Sequence, residues 1–227
     1  MAADRGPAGP TDVYLEVGSR RVLAAALDWP GWARFGRTEE LALEALADYA
    51  PRYAVVAELA GVAFPAGAGD ELRVVERLPG SGTTDFGAPD KPTSRDAEPV
   101  GEAEAARAAA LLRASWVLLD QVAAGAPAEL RKGPRGGGRD RDEVLDHVLG
   151  SEAGLARYVG VKQPQPAIGD RAAIAALRDA IAAVLGAPSD GTPPRPKGWP
   201  PRYAARRFAW HVLDHAWEIQ DRSVPAG

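Results

Sequence analysis

The sequence contains no cysteine. That removes disulfides, thiolate nucleophiles, iron–sulfur clusters and thiolate zinc sites together, so any metal must be held by nitrogen and oxygen ligands. Histidine is nearly as scarce, with 3 in 227 residues. A strong charge of either sign is also missing: the net charge of -4 gives no overall grip on nucleic acid or an anionic membrane. The longer helical apolar segments are broken by Arg, Asp or Gly before they reach spanning length. Met1 to Thr11 lacks the apolar core of a signal peptide. A cytoplasmic protein with no nucleic-acid or membrane partner is the expectation. No Gly-x-Ser-x-Gly elbow is present, and Gly136-Gly137-Gly138 is followed by Arg139 and Asp140 rather than Gly-Lys-Ser/Thr, so it reads as a connection and not a phosphate loop.

What is present is the make-up of an ordinary globular chain, 46% apolar and 26% charged, long enough for two modest domains that each bury a core. Heavy use of Ala, Arg, Gly and Pro matches GC-rich coding and a bacterial source of that type.

The first segment has a period of two. Val13, Leu15 and Val17 share one face, a Gly18-Ser19 turn signal follows, and Val22 to Leu27 is a short apolar run, which together predict a β-hairpin. Asp28-Trp29-Pro30-Gly31-Trp32 forces a turn before Ala33 to Phe35. Thr38 caps a helix with Glu39 and Glu40 in its first turn, and Pro51 kinks or restarts that helix on its way to Leu59. Leu72, Val74 and Val75 predict a further strand. With its Leu27-Asp28-Trp29-Pro30-Gly31 turn and Thr38-Glu39-Glu40-x-Ala42-Leu43, residues 12–78 resemble the small HicB-like antitoxin fold, an α+β domain of antiparallel sheet and helix. Repressors of that kind carry a separate DNA-binding element after the fold. None is visible here, so the resemblance implies the fold and not the activity.

Residues 79–100 are rich in Pro, Gly, Asp, Ser and Thr and read as a linker. Beyond it, within 101–223, the pattern is helical: Glu102 to Ala124, Asp140 to Tyr158, Asp170 to Leu185 and Arg202 to Arg222. Asp140 with Glu143 is a capping signal, and Gly169-Asp170 opens the third helix. Four helices of similar length predict an all-α up-down four-helix bundle.

His211 and His215 lie four apart on the last helix, so at about 100° per residue their side chains leave the same face one turn apart. His147 falls near the middle of the second helix, from which an up-down bundle can aim it into the shared core. The expected site is a divalent metal on these three nitrogens, with open positions as in catalytic sites; the competing reading is three unrelated histidines. Gly150, Ser151 and Gly154 either leave space at this site or mark a close helix crossing. Glu218 shares the face of the pair and is a candidate fourth ligand, supporting group or general base. Arg207, one turn before His211, is a candidate clamp for a substrate carboxylate, against the plainer reading of an ion pair with a helix acid. Asp146 and Asp214 read as salt-bridging residues, and Trp210 and Trp217 as core.

Asp146-His147-Val148 and His211-Val212-Leu213-Asp214-His215, in that helical setting, resemble the DinB-like metalloprotein superfamily, which includes mycothiol-dependent maleylpyruvate isomerases and related thiol transferases. The resemblance covers roughly residues 102 to 223. It implies a zinc- or nickel-type centre and chemistry on a small molecule with an external low-molecular-weight thiol such as mycothiol. Two functions follow as expectations: a metal-dependent transferase or isomerase acting on a small, anionic substrate, or a non-catalytic module in which the metal staples the bundle and the HicB-like half mediates partner binding or homodimer formation.

Overall fold

The computed structural model describes residues 9–133 and 137–223, so Gly136 of the glycine-rich connection and the first eight residues lie outside the described part. The chain is an α+β fold. Strands β1 (Thr11–Val17), β2 (Val22–Ala26), β3 (Ala33–Gly36) and β4 (Leu72–Pro79) form one sheet in the order β3-β2-β1-β4. The Gly18 N–H donates to the Arg21 carbonyl at 2.9 Å and closes the β1–β2 hairpin, setting Val13 opposite Ala26 and Val17 opposite Val22. Helices α1 (Glu39–Asp48) and α2 (Ala50–Leu59) carry the chain from β3 across to β4.

The expectation of an antiparallel sheet needs correction. β4 pairs with β1 in parallel, so the sheet is mixed. A two-helix crossover between β3 and β4 allows this, whereas a short turn would have forced an antiparallel neighbour. The Thr38 hydroxyl accepts from the Leu41 N–H at 3.3 Å, and Pro51 restarts the helix: it falls in the first turn of α2, where its missing N–H goes unneeded.

Residues 79–100 carry structure of their own where a bare linker is expected. They hold the short helix α3 (Gly82–Phe86) and a 3₁₀ turn at Ser94–Ala97. Fully buried Glu16 of β1 receives the Thr84 hydroxyl and the backbone N–H groups of Asp90 and Lys91, each at 3.0 to 3.1 Å. Arg206 holds Asp96 at 2.6 Å from the opposite side.

Four long helices complete the chain: α4 (Glu102–Gly125), α5 (Arg141–Ala156), α6 (Arg171–Leu185) and α7 (Pro201–Ser223). Asp140 caps α5 in a capping box with Glu143, and Asp170 accepts from the Ala173 N–H to cap α6. All four contribute to one core, with Leu112, Trp116, Val148, Ile181, Phe208 and Val212 among its members. A second core joins the sheet and α1–α2 to the opposite faces of α4 and α7, setting Trp29, Trp32 and Tyr53 against Leu111, Leu118, Leu213 and Trp217. Helix α7 is therefore buried along most of its length, with apolar side chains on more than one face and buried Arg206 and His211 among them. The contact is tightest at Gly31, whose φ of +94° suits glycine and where an added Cβ would stand 2.6 Å from Leu213 Cδ1. Among the described residues no helix is long and apolar enough to cross a membrane.

Candidate metal centre

The 3.6-residue repeat of α7 projects His211 and His215 from one face, and their ring centroids lie 4.7 Å apart. From α5, His147 enters between them, its ring centroid 5.2 Å from that of His211 and 4.8 Å from that of His215. One ligand atom from each ring lies within 4.8 Å of the other two. The Nε2 atoms of His147 and His211 stand 3.3 Å apart.

That separation can be tested against coordination chemistry. Zinc–nitrogen bonds of about 2.0–2.1 Å at a tetrahedral angle require an edge of roughly 3.3–3.4 Å between neighbouring nitrogens. The His147–His211 edge has this length. Closing the remaining edges requires a movement of up to about 1.5 Å at His215.

Both rings of that edge are biased towards the neutral form, which keeps one nitrogen lone pair per ring. Burial pushes the pKa of His211 well below its ordinary value, and the charges of His215 and Arg207 push the same way. Burial also lowers His147, with His215 adding to the effect. The Nδ1 atom of His211 is buried without a hydrogen-bond partner among the described residues, so Nε2 is its only nitrogen facing another group.

Glu218 is placed as a support for His215. Its Oε2 takes Nδ1 of His215 at 2.8 Å, and its Oε1 receives Nη1 of Arg222 at 2.7 Å. The hydrogen bond from His215 is the main cause of a carboxyl pKa below the usual range. A carboxylate on Nδ1 fixes the tautomer that leaves Nε2 free to ligate. Arg222 continues the chain by donating from Nε to the Arg131 carbonyl at 2.8 Å. Sequence reasoning missed Arg222, though its i+4 spacing from Glu218 was available as a signal.

Arg207 is not joined to the histidines by any hydrogen bond or ion pair among the described residues. Its guanidinium lies 4.7 Å from the centroid of the Trp210 ring, burial lowers its pKa, and the Tyr203 hydroxyl and the Glu16 carboxylate partly offset that. Helical side chains lean towards the N-terminus, so Arg207 reaches back to Tyr203 instead of on to His211. The same lean brings Glu218 to His215 and Arg222 to Glu218.

Asp214 salt-bridges Arg34 at 3.3 Å, as a salt-bridging residue should, though its partner lies on strand β3 and not on a neighbouring helix. Asp146 instead accepts from the Gln165 side chain at 2.8 Å. Trp210 and Trp217 are core residues. The space expected at Gly150 and Gly154 does not open onto the histidines: Gly150 lies against Gln165, and Gly154 is exposed with nothing within 4 Å of an added Cβ.

No family model, curated protein or solved structure matches this chain. The functional argument therefore rests on the chemistry of the site.

Proposed function

We propose that His147, His211 and His215 bind a divalent metal ion, of the zinc or nickel type, and that the protein is a metal-dependent enzyme. The reading is carried by one observation, the 3.3 Å Nε2–Nε2 edge between His147 and His211, with His215 converging on it. Three imidazoles suit a borderline divalent ion and leave coordination positions open. When bound, the ion supplies Lewis acidity that lowers the pKa of a thiol or water.

The chain's own residues divide the work. His211 would offer its nitrogen from a buried position and His147 from a half-buried one, and Glu218 orients His215. Arg207 acts from a distance, through the positive charge that His211 experiences.

The DinB-like pattern of the histidines supports an up-down arrangement of α4–α7 and a transferase or isomerase using an external thiol of the mycothiol kind, in the cytoplasm, on a small anionic substrate. The competing role, a closed metal staple in an interaction or homodimer module with a HicB-like half, needs a fourth protein ligand. Glu218 is the nearest candidate by sequence, and its commitment to His215 Nδ1 and Arg222 argues for the open, enzymatic site.

Elemental analysis of untagged protein tests the reading. Near-stoichiometric metal in wild type, lost in the His211→Ala/His215→Ala variant, is expected, followed by a screen of thiol-dependent transfer and isomerisation. Wild type that stays metal-free after supply of zinc, nickel and manganese would overturn it.

A further inference from the structure

Glu218 stands three residues after His215 on α7, the spacing at which the Glu-x-x-His pairs of helical di-iron proteins reach one ion. It stays in its supporting place only if something other than the histidine also holds its carboxylate.

The grip on that carboxylate is divided. Oε2 takes Nδ1 of His215 at 2.8 Å, and Oε1 takes Nη1 of Arg222 at 2.7 Å, so each oxygen has its own nitrogen partner. An i, i+4 ion pair on a bare helix surface fixes little, because both side chains are free to leave it. Arg222 is held from elsewhere. Its side chain is 15% exposed, its Nε donates to the Arg131 carbonyl at 2.8 Å, and its own carbonyl receives the Arg131 N–H at 3.0 Å. Gly138 lies against the guanidinium, where an added Cβ would stand 2.6 Å from Nη2. Nη2 itself is buried without a hydrogen-bond partner among the described residues, so the bonds to Glu218 and Arg131 set the position of the fork. The connection between α4 and α5 thus fixes Arg222 through groups that belong neither to α7 nor to the histidines.

We propose, on the metal reading above, that Arg222 determines whether the metal centre is open or closed. By holding Oε1 it keeps the Glu218 carboxylate on His215 and off the ion, which leaves a coordination position for a small anion or for the deprotonated form of a thiol or water. Three neutral imidazoles leave the charge of a divalent ion uncompensated, which favours a ligand of that class. Arg222 is a positioning residue, since it acts through Glu218. Without it Oε1 has no partner, and the carboxylate is free to take the open position itself. Loss of a mere support would weaken metal binding, whereas loss of this restraint adds a ligand.

Azide titration of cobalt(II)-loaded protein, read from the visible absorption of the ion, tests the assignment, with thermal unfolding to confirm each fold. Wild type should take up cobalt and bind azide. Arg222→Met should hold cobalt at least as tightly as wild type, because Glu218 joins the ligands, and bind azide at least about tenfold more weakly. Arg222→Lys, which keeps a charged donor for Oε1, should recover most of the azide affinity. In Glu218→Gln/Arg222→Met the acid is gone, so azide should bind as it does to Glu218→Gln alone. Azide affinity of Arg222→Met within about twofold of wild type would overturn the proposal. So would a double variant as impaired as Arg222→Met, since the loss would then come from the missing charge and not from Glu218. Cobalt bound by wild type with no response to azide overturns it too, while leaving the metal site standing. Wild type that takes no cobalt removes the metal reading and this one together.

Discussion

The Nε2 atoms of His147 and His211 meet at 3.3 Å although 64 residues separate them in the chain. Two imidazole lone pairs facing each other repel unless a proton or a cation lies between them. The lowered pKa values keep both rings neutral, so the contact is closed either by the single N–H of one ring or by a cation that both lone pairs face.

A ligand that binds only the folded state stabilises it by mass action, about 2.7 kcal/mol at one hundred times its Kd. For a domain of this size that corresponds to roughly 5–10 °C. Zinc at that excess should raise the Tm of wild type by this amount and leave His211→Ala unmoved, as read by differential scanning calorimetry.

Glu218→Gln keeps the volume of the side chain and removes the charge that fixes His215. A 10- to 100-fold loss of metal affinity is expected, the range for supporting carboxylates of this kind. Competition with a chromophoric chelator measures it. Affinity within twofold of wild type would show that Glu218 is a surface ion-pair residue.

Glu152→Leu removes an acceptor from a guanidinium whose side chain is 10% exposed. Asp120 still holds Arg178, so the loss should fall near the lower end of that for a broken buried pair, about 3 kcal/mol. Urea denaturation of the variant reads it directly.

Gly31→Ala combines a left-handed backbone with a 2.6 Å approach to Leu213 Cδ1. Either α7 shifts or the turn does, at a cost of about 2 kcal/mol or more. Gly61→Ala, with a φ of +67° but nothing within 4 Å, is the control and should cost less.

Asp85 accepts the Ser19 hydroxyl and the N–H groups of Ser19, Arg20 and Arg21, which hold its pKa at about 2 against an ordinary 3.8. A depressed folded-state pKa gives stability that is complete above the unfolded value and is lost as pH falls through the folded one. Wild type should therefore lose stability more steeply than Asp85→Asn between pH 3.8 and about 2. Chemical denaturation across that window, with parallel slopes as the contrary result, decides the matter.

Local signals carried much of this molecule. The spacing of His211 and His215 is itself a helical period, Thr38, Asp140 and Asp170 cap where their types suggest, and Gly18-Ser19 turns the hairpin. Features that depend on distant partners were not legible. Glu152, Trp116 and Arg178 come from three helices, and each alone reads as an ordinary helix residue. The parallel seat of β4 is set by the path of α1 and α2, which the period of Leu72 and Val74 does not encode. Residues 79–100 look like a linker because much of their order comes from Glu16 and Arg206, outside the segment, beside short internal caps at Ser81 and Thr93. Arg207 had the right helical face for the histidines but leans the other way.

Helix α7 gives Phe208 and Val212 to the core of the long helices, Leu213 and Trp217 to the core under the sheet, and Trp210 to the sheet's other side, with His211 and His215 between them. An ion that seats on those two rings clamps a rod that both halves of the fold grip. Its binding energy is therefore spread across the whole molecule, and amide protons in β1 and β2, far from any imidazole, should exchange more slowly when it is present.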